Sequence, residues 1–247
     1  MLNRIIGFTA LSLAVLLTTG CGERVSQTVN TLSGPVQGIV NNGVSIFRGI
    51  PYAAPPLKDL RWTPPQPVQP WAEPLITDAY GPSCWQPTGV GNDAFINALV
   101  AGSGMSEFSQ WVLKFGAGLA EVSISENCLT LNVLTPEISS EKPLPVMLWI
   151  HGGAHQYGSG GENYESTSLV NNGVILVTIN YRLGIYGFMA HPELAAEDAN
   201  GSTGNYGMLD QIAALQWVQA NIEKFGGDAN NVTIFGESAG GHSVGQL

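Results

Sequence analysis

Positive charge is the scarcest thing in this chain. Nine Lys and Arg stand against nineteen Asp and Glu, giving a formal net charge of −10 over 247 residues, and only 11% of residues are charged. Nothing so acidic can neutralise a run of phosphates, which excludes nucleic acid as a partner. Cysteine is nearly as rare, at three. Internal repeats and low-complexity tracts are missing. So is a long apolar run: the most apolar stretch, residues 5–17, is too short to span a bilayer comfortably. What remains is 44% hydrophobic and rich in turn-formers, with 31 Gly and 15 Pro, a globular composition long enough for one large domain or two small ones.

The first twenty residues read as an export signal, with Arg4 ahead of the apolar run. The sequence LTTGC at 17–21 resembles a bacterial lipobox, with Thr18 where Leu is usual. Cys21 is then the lipidated residue of an exported protein, held at the cell envelope by a membrane anchor. The alternative is ordinary cleavage near Gly20 with Cys21 left free. Cys84 and Cys128 remain as an even pair in an oxidising compartment. They are either a disulfide, worth about 3–4 kcal/mol on a chain-entropy basis, or two buried thiols.

From residue 34 the pattern alternates strands and helices. Residues 34–40 and 44–50 flank Asn41-Asn42-Gly43, a hairpin signal. Prolines crowd residues 51–74 as an ordered surface loop. Apolar spacing predicts two short helices, one on Phe95, Ile96, Leu99 and Val100, the other on Phe108, Trp111, Val112 and Phe115. Residues 129–134 form a strand. The apolar runs 146–150 and 174–179 suit strands buried on both faces. Asn205 caps a long helix whose apolar stripe is Leu209, Ile212, Ala213, Trp217 and Ala220, and Gly226-Gly227-Asp228 stops it. Residues 232–235 are the next strand. The expectation is an α/β fold, a mostly parallel sheet with helices on its faces.

The chemistry-bearing sequence is Gly236-Glu237-Ser238-Ala239-Gly240. A lone G-x-S-x-G is weak, but here it joins an apolar strand to a helix, the setting of a nucleophile elbow. Glycines two before and two after the serine meet the steric demand of the turn. Ser238 is therefore the candidate nucleophile. Serine also needs a base, an orienter for that base and donors for the oxyanion. The loop His151-Gly152-Gly153-Ala154 follows the buried run ending at Ile150 and can bring backbone N–H groups to the same sheet edge, joining the N–H of Ala239. The histidines at 151, 155, 191 and 242 have no evident carboxylate partner, and each reads as structural. No cofactor or metal is called for.

Four ordered motifs over about 200 residues then identify the chain as resembling the type-B carboxylesterases, the family of cholinesterases and para-nitrobenzyl esterases. They are FRGIPYA at 47–53 with Pro55-Pro56, SENCLTLNV at 125–133, VTINYRLG at 177–184, and FGGDANNVTIFGESAGG at 225–241. The second departs at Asn127, where Asp is usual. The resemblance implies an α/β-hydrolase fold over 21–247 and hydrolysis of small-molecule carboxylic esters through an acyl-serine. It assigns Ser238 as nucleophile, Gly153, Ala154 and Ala239 as oxyanion donors, and a Cys84–Cys128 disulfide. Family members usually keep glycine and then an aromatic residue where Ala154 and His155 stand. Ala154 offers its N–H only from a negative φ or from a tolerated strain. The family's triad acid and histidine lie C-terminal to the serine. The expectation is therefore the N-terminal half of the fold, lacking the C-terminal strands and two triad residues, and inactive alone. The competing expectation is a non-catalytic, cholinesterase-like binding protein, against which both elbow glycines argue.

Overall fold

A computed structural model describes residues 24–87, 104, 106, 109, 123–136, 142–199, 201 and 203–247. The export segment with Cys21 lies outside them. So, but for isolated positions, do the two short helices expected between 95 and 115.

Seven strands form the main sheet: β1 (Arg24–Val25), β2 (Ile39–Asn41), β3 (Val44–Pro51), β4 (Thr130–Pro136), β5 (Leu144–Ile150), β6 (Ile175–Ile179) and β7 (Gly227–Gly236). Their spatial order is β1-β2-β3-β4-β6-β5-β7. Among the described residues five α-helices accompany them: α1 (Thr167–Asn171), α2 (Gly184–Phe188), α3 (Pro192–Glu197), α4 (Tyr206–Asn221) and α5 (Ala239–Val244). Among the described residues no helix is long and apolar enough to cross a membrane. The β2–β3 hairpin forms where the sequence demands it. Asn42 and Gly43 have φ of 50° and 80°, the two positive values that suit a two-residue turn to the strand twist, and Asn41 lies opposite Val44.

The sheet is mixed, where a mostly parallel one was expected. β5 runs parallel to both neighbours, Val146 facing Ile175 of β6 and Val232 of β7. β1 to β4 pair antiparallel, and β4 meets β6 antiparallel at Val133 and Val177. The connections explain this. Parallel neighbours need a crossover, and crossovers arrive only after β5, through α1 and then through α4. They gather the parallel strands at the sheet end that carries Ser238.

Both faces of the central strands are covered. One packs Phe47, Leu131, Val133, Val146, Leu148 and Ile150 with Val177 and Ile179 against Ala214, Trp217 and Val218 of α4. The other sets Val44, Ile46, Leu134 and Leu176 against Val170 of α1. β6 is buried at every residue, as its apolar run suggests. β5 instead alternates, with Val146, Leu148 and Ile150 buried and Met147 and Trp149 only partly so. Its second face is an aromatic cover: Trp149 lies 5.0 Å from Tyr164 and 4.9 Å from Phe235, ring centre to ring centre.

The buried face of α4 differs from the expected stripe. It carries Tyr206, Gly207, Asp210, Gln211, Ala214, Trp217, Val218 and Asn221, and Ile212 is 39% exposed. Apolar residues surround this helix, so their spacing does not single out a face. Polar partners do: Asp210 is buried against Arg182, and Asn221 accepts a hydrogen bond from the Leu32 N–H at 2.8 Å. Asn205 does stand at the N-cap, but its side chain makes no capping hydrogen bond. A 3₁₀ turn extends α4 to Phe225, and Gly226, at φ 87°, ends it by donating to the carbonyls of Ile222 and Glu223.

Candidate active site

β7 ends at Gly236, in register with Ile150 of β5, and α5 starts at Ala239. The two residues between them reverse the chain. Ser238 sits at φ 54°, ψ −119°, a conformation that costs about 1–3 kcal/mol and persists only when its surroundings impose it. The surroundings do. A Cβ on Gly240 would lie 2.0 Å from the Ile150 carbonyl oxygen, and one on Gly236 would lie 2.6 Å from the Gly240 carbonyl carbon. The turn is closed by Gly240 N–H donating to the Glu237 carbonyl (2.8 Å) and His242 N–H to the Ser238 carbonyl (3.0 Å). Ser238 itself is exposed.

The loop after β5 meets this elbow. A Cβ on Gly152 would stand 2.4 Å from a Glu237 carboxylate oxygen and 3.2 Å from the Ser238 Cβ, so the loop passes as close to the elbow as backbone can. Gly153 takes φ 101°, and its carbonyl accepts from the N–H groups of Gln156 and Tyr157. Ala154 and His155 follow at φ 55° and 57°. Ala154 therefore presents its N–H from the strained alternative, at about 1–2 kcal/mol for a residue with a Cβ. That is the physical reason a glycine suits the position.

Aromatic and polar side chains hold the loop. The His151 ring is buried and stacks on Tyr181 with centres 4.4 Å apart, and the Tyr181 hydroxyl donates to the His151 carbonyl at 2.8 Å. Its Nδ1 donates to the Gly152 carbonyl, leaving Nε2 buried without a partner among the described residues. Burial pushes this imidazole down to about 4, further than the Gly152 contact raises it. Tyr181 is fixed by its neighbour: Arg182 donates through Nε and Nη2 to the two Asp210 oxygens, both at 2.8 Å, and its own N–H adds a third bond at 3.0 Å. At the far end of the loop Gln86 braces Gly158 with a reciprocal pair of hydrogen bonds. Gln86 is two residues from Cys84, which forms a disulfide with Cys128. The Cys84–Cys128 disulfide is the expected pair; the stacking on Tyr181, the Arg182–Asp210 pair and the Gln86 brace do not stand out from the sequence, because each joins residues far apart in the chain. The one local signal is His155, which stands where an aromatic residue was expected.

Ser238, Gly153, Ala154 and Ala239 are thus gathered at one edge of the sheet. The four histidines make other contacts. His151 is packed as described. His155 reaches Ala239 and Ser243. His191 caps α3 by accepting from the Glu193 N–H, and His242 contacts Gln246. Among the described residues none hydrogen-bonds the Ser238 hydroxyl. A cavity of about 600 Å³ adjoins Ala154, lined mainly by Trp85, His155, Leu183, Ile185, Tyr186 and Phe188. Its apolar, aromatic walls suit a hydrophobic group of a ligand.

The sequence profile of the carboxylesterase family matches residues 25–247. The chain is 43% identical over 219 residues to the fumonisin B1 esterase of Sphingopyxis macrogoltabida, covering 88% of this chain and 36% of that protein. It is 42% identical over 223 residues to the para-nitrobenzyl esterase of Bacillus subtilis (strain 168), covering 90% and 40%. A solved para-nitrobenzyl esterase structure superimposes with a TM-score of 0.72 at 41% identity, covering 88% of this chain and 40% of that one. The chain spans about two fifths of the length of the relatives it matches.

Proposed function

The chain belongs to the carboxylesterase family and has its α/β-hydrolase fold, and from that premise we propose that it supplies the nucleophile and oxyanion site of a serine esterase acting on small-molecule carboxylic esters. Ser238 Oγ attacks the ester carbonyl carbon and its proton passes to a general base. The N–H groups of Gly153, Ala154 and Ala239 receive the negative charge that develops on the carbonyl oxygen. Collapse expels the alcohol, which takes the proton back from the base. Water then attacks the acyl-serine by the same path and releases the acid.

The observation that carries this reading is the contact between Gly152 and the strained Ser238 elbow. A binding module has no use for a serine held at that cost. The base and its orienting acid come, in this reading, from outside the described residues, since none of the four histidines reaches Ser238. Without that base and acid, turnover of a para-nitrophenyl ester is expected to fall about a millionfold below that of a complete triad.

The test is a fluorophosphonate probe on the full-length gene product, followed by peptide mass mapping. The expected adduct is on Ser238 and vanishes in Ser238→Ala; an unlabelled protein would sink the reading. Export and lipidation at Cys21 are a separate proposal, supported by the sequence at 1–21. Metabolic labelling with a radioactive fatty acid, lost in Cys21→Ser, checks it, and a labelled Cys21→Ser protein would refute it.

A further inference from the structure

His155 is the side chain that joins the two backbone segments carrying the oxyanion donors. It follows Ala154 directly, and its ring crosses to the first turn of α5. There Nε2 lies 3.1 Å from the Ala239 carbonyl oxygen and 3.1 Å from Ser243 Oγ. A carbonyl oxygen can only accept, so Nε2 carries the proton and shares it between the two oxygens. Ser243 sends its own proton onward to Met208 Sδ at 3.6 Å, which leaves its oxygen free to accept.

The ring has little freedom to leave. It stacks on Phe188 with centres 4.9 Å apart and an interplanar angle of 26°, and meets Tyr181 edge-on at 6.1 Å. The His155 carbonyl is tied as well, accepting from the Gly184 N–H at 2.7 Å. Burial lowers the imidazole's affinity for a second proton. A second proton would enter at Nδ1 and leave the Nε2–H donation intact.

We propose that His155 is a positioning residue of the oxyanion site: by donating Nε2–H to the Ala239 carbonyl it fixes the Ala239 segment against the Gly153–Ala154 segment, so that their N–H groups converge on one oxygen. The proposal rests on the esterase reading. It goes beyond it because a phenyl ring would fill the same space between Phe188 and Tyr181 and could not hold Ala239. The donor itself is never deleted, only displaced. Displacing a donor that acts in the transition state lowers kcat, and substrate affinity is largely spared.

Two measurements on the full-length gene product test this. The first is nitrogen-15 and carbonyl carbon-13 NMR. The His155 ring is expected as the Nε2–H tautomer, and the Ala239 carbonyl resonance is expected to move in His155→Phe. An Nδ1–H tautomer, or an Ala239 carbonyl indifferent to the substitution, overturns the proposal. The second is ester hydrolysis. His155→Phe is expected to lose about 10- to 100-fold in kcat with KM within twofold, and Ser243→Ala, which removes only one acceptor, to lose less. Unchanged kcat in His155→Phe, or an equal loss in Ser243→Ala, overturns it. Hydrolysis that survives Ser238→Ala would bring down the esterase reading instead, and the NMR result would still decide the role of His155.

Discussion

Ser238 is the residue where stability and chemistry pull in opposite directions. Its positive φ favours a residue without a Cβ. Ser238→Gly is therefore expected to be about 1 kcal/mol more stable than Ser238→Ala, although both lack the hydroxyl; chemical denaturation of the two variants checks this, and equal midpoints would mean that the elbow stores no strain. His151 sets a second expectation. Unfolded, its imidazole binds a proton near 6.5; folded, burial holds it to about 4. Between those values the unfolded chain carries more protons, so stability is full above pH 6.5 and falls as pH drops toward 4. The loss amounts to about 3 kcal/mol. Burial lowers His155 in the same direction. Unfolding midpoints measured from pH 7.5 to 4 should show the slope, and His151→Phe, which keeps a ring against Tyr181, should flatten it. These residue-level facts were only partly legible beforehand. The elbow glycines announce themselves by spacing. The buried state of His151 depends on Tyr181, thirty residues away, and no local pattern encodes it.

Among the elements, legibility follows how local the cause is. The β2–β3 hairpin is written in Asn42-Gly43, because the turn geometry is set by those two residues alone. The strands β4 to β7 lie within two residues of their apolar runs, apart from the start of β7, which reaches back to Gly227. The α4 face could not be read, because its orientation is decided by Asp210 meeting Arg182 and by Asn221 meeting Leu32, and apolar residues occur on every side. Two substitutions separate the expected face from the observed one. Ile212→Lys should change stability by less than about 0.5 kcal/mol, as at other exposed positions. Ala214→Lys, at 0% exposure, should cost about 3 kcal/mol or prevent folding. Thermal unfolding of the pair checks both. The mixed sheet has the same kind of cause: strand direction is a property of the connections, which runs of apolar residues do not record.

For the whole molecule, two long-range ties join distant parts of the chain. The Cys84–Cys128 disulfide closes a sequence separation of 44, and through Gln86 it reaches the end of the loop at Gly158. Arg48 of β3 pairs with Glu165 through two hydrogen bonds at 2.8 and 2.9 Å, in the connection between β5 and α1. Reducing the disulfide should lower stability by about 3–4 kcal/mol. In the full-length gene product it should also slow ester hydrolysis before the protein unfolds, since Gln86 loses its anchor first. Parallel titrations of activity and unfolding against reductant would show the order, and coincident curves would refute it. The donors proposed for the oxyanion are main-chain N–H groups, whereas the walls of the neighbouring cavity are side chains. No single codon change can remove an N–H short of introducing proline, yet any one can repaint Trp85, Ile185 or Tyr186. On the proposed reading the reaction is thereby sheltered from mutation while the choice of ester is left open to it, so a lineage built on this chain could change its diet and keep its trade.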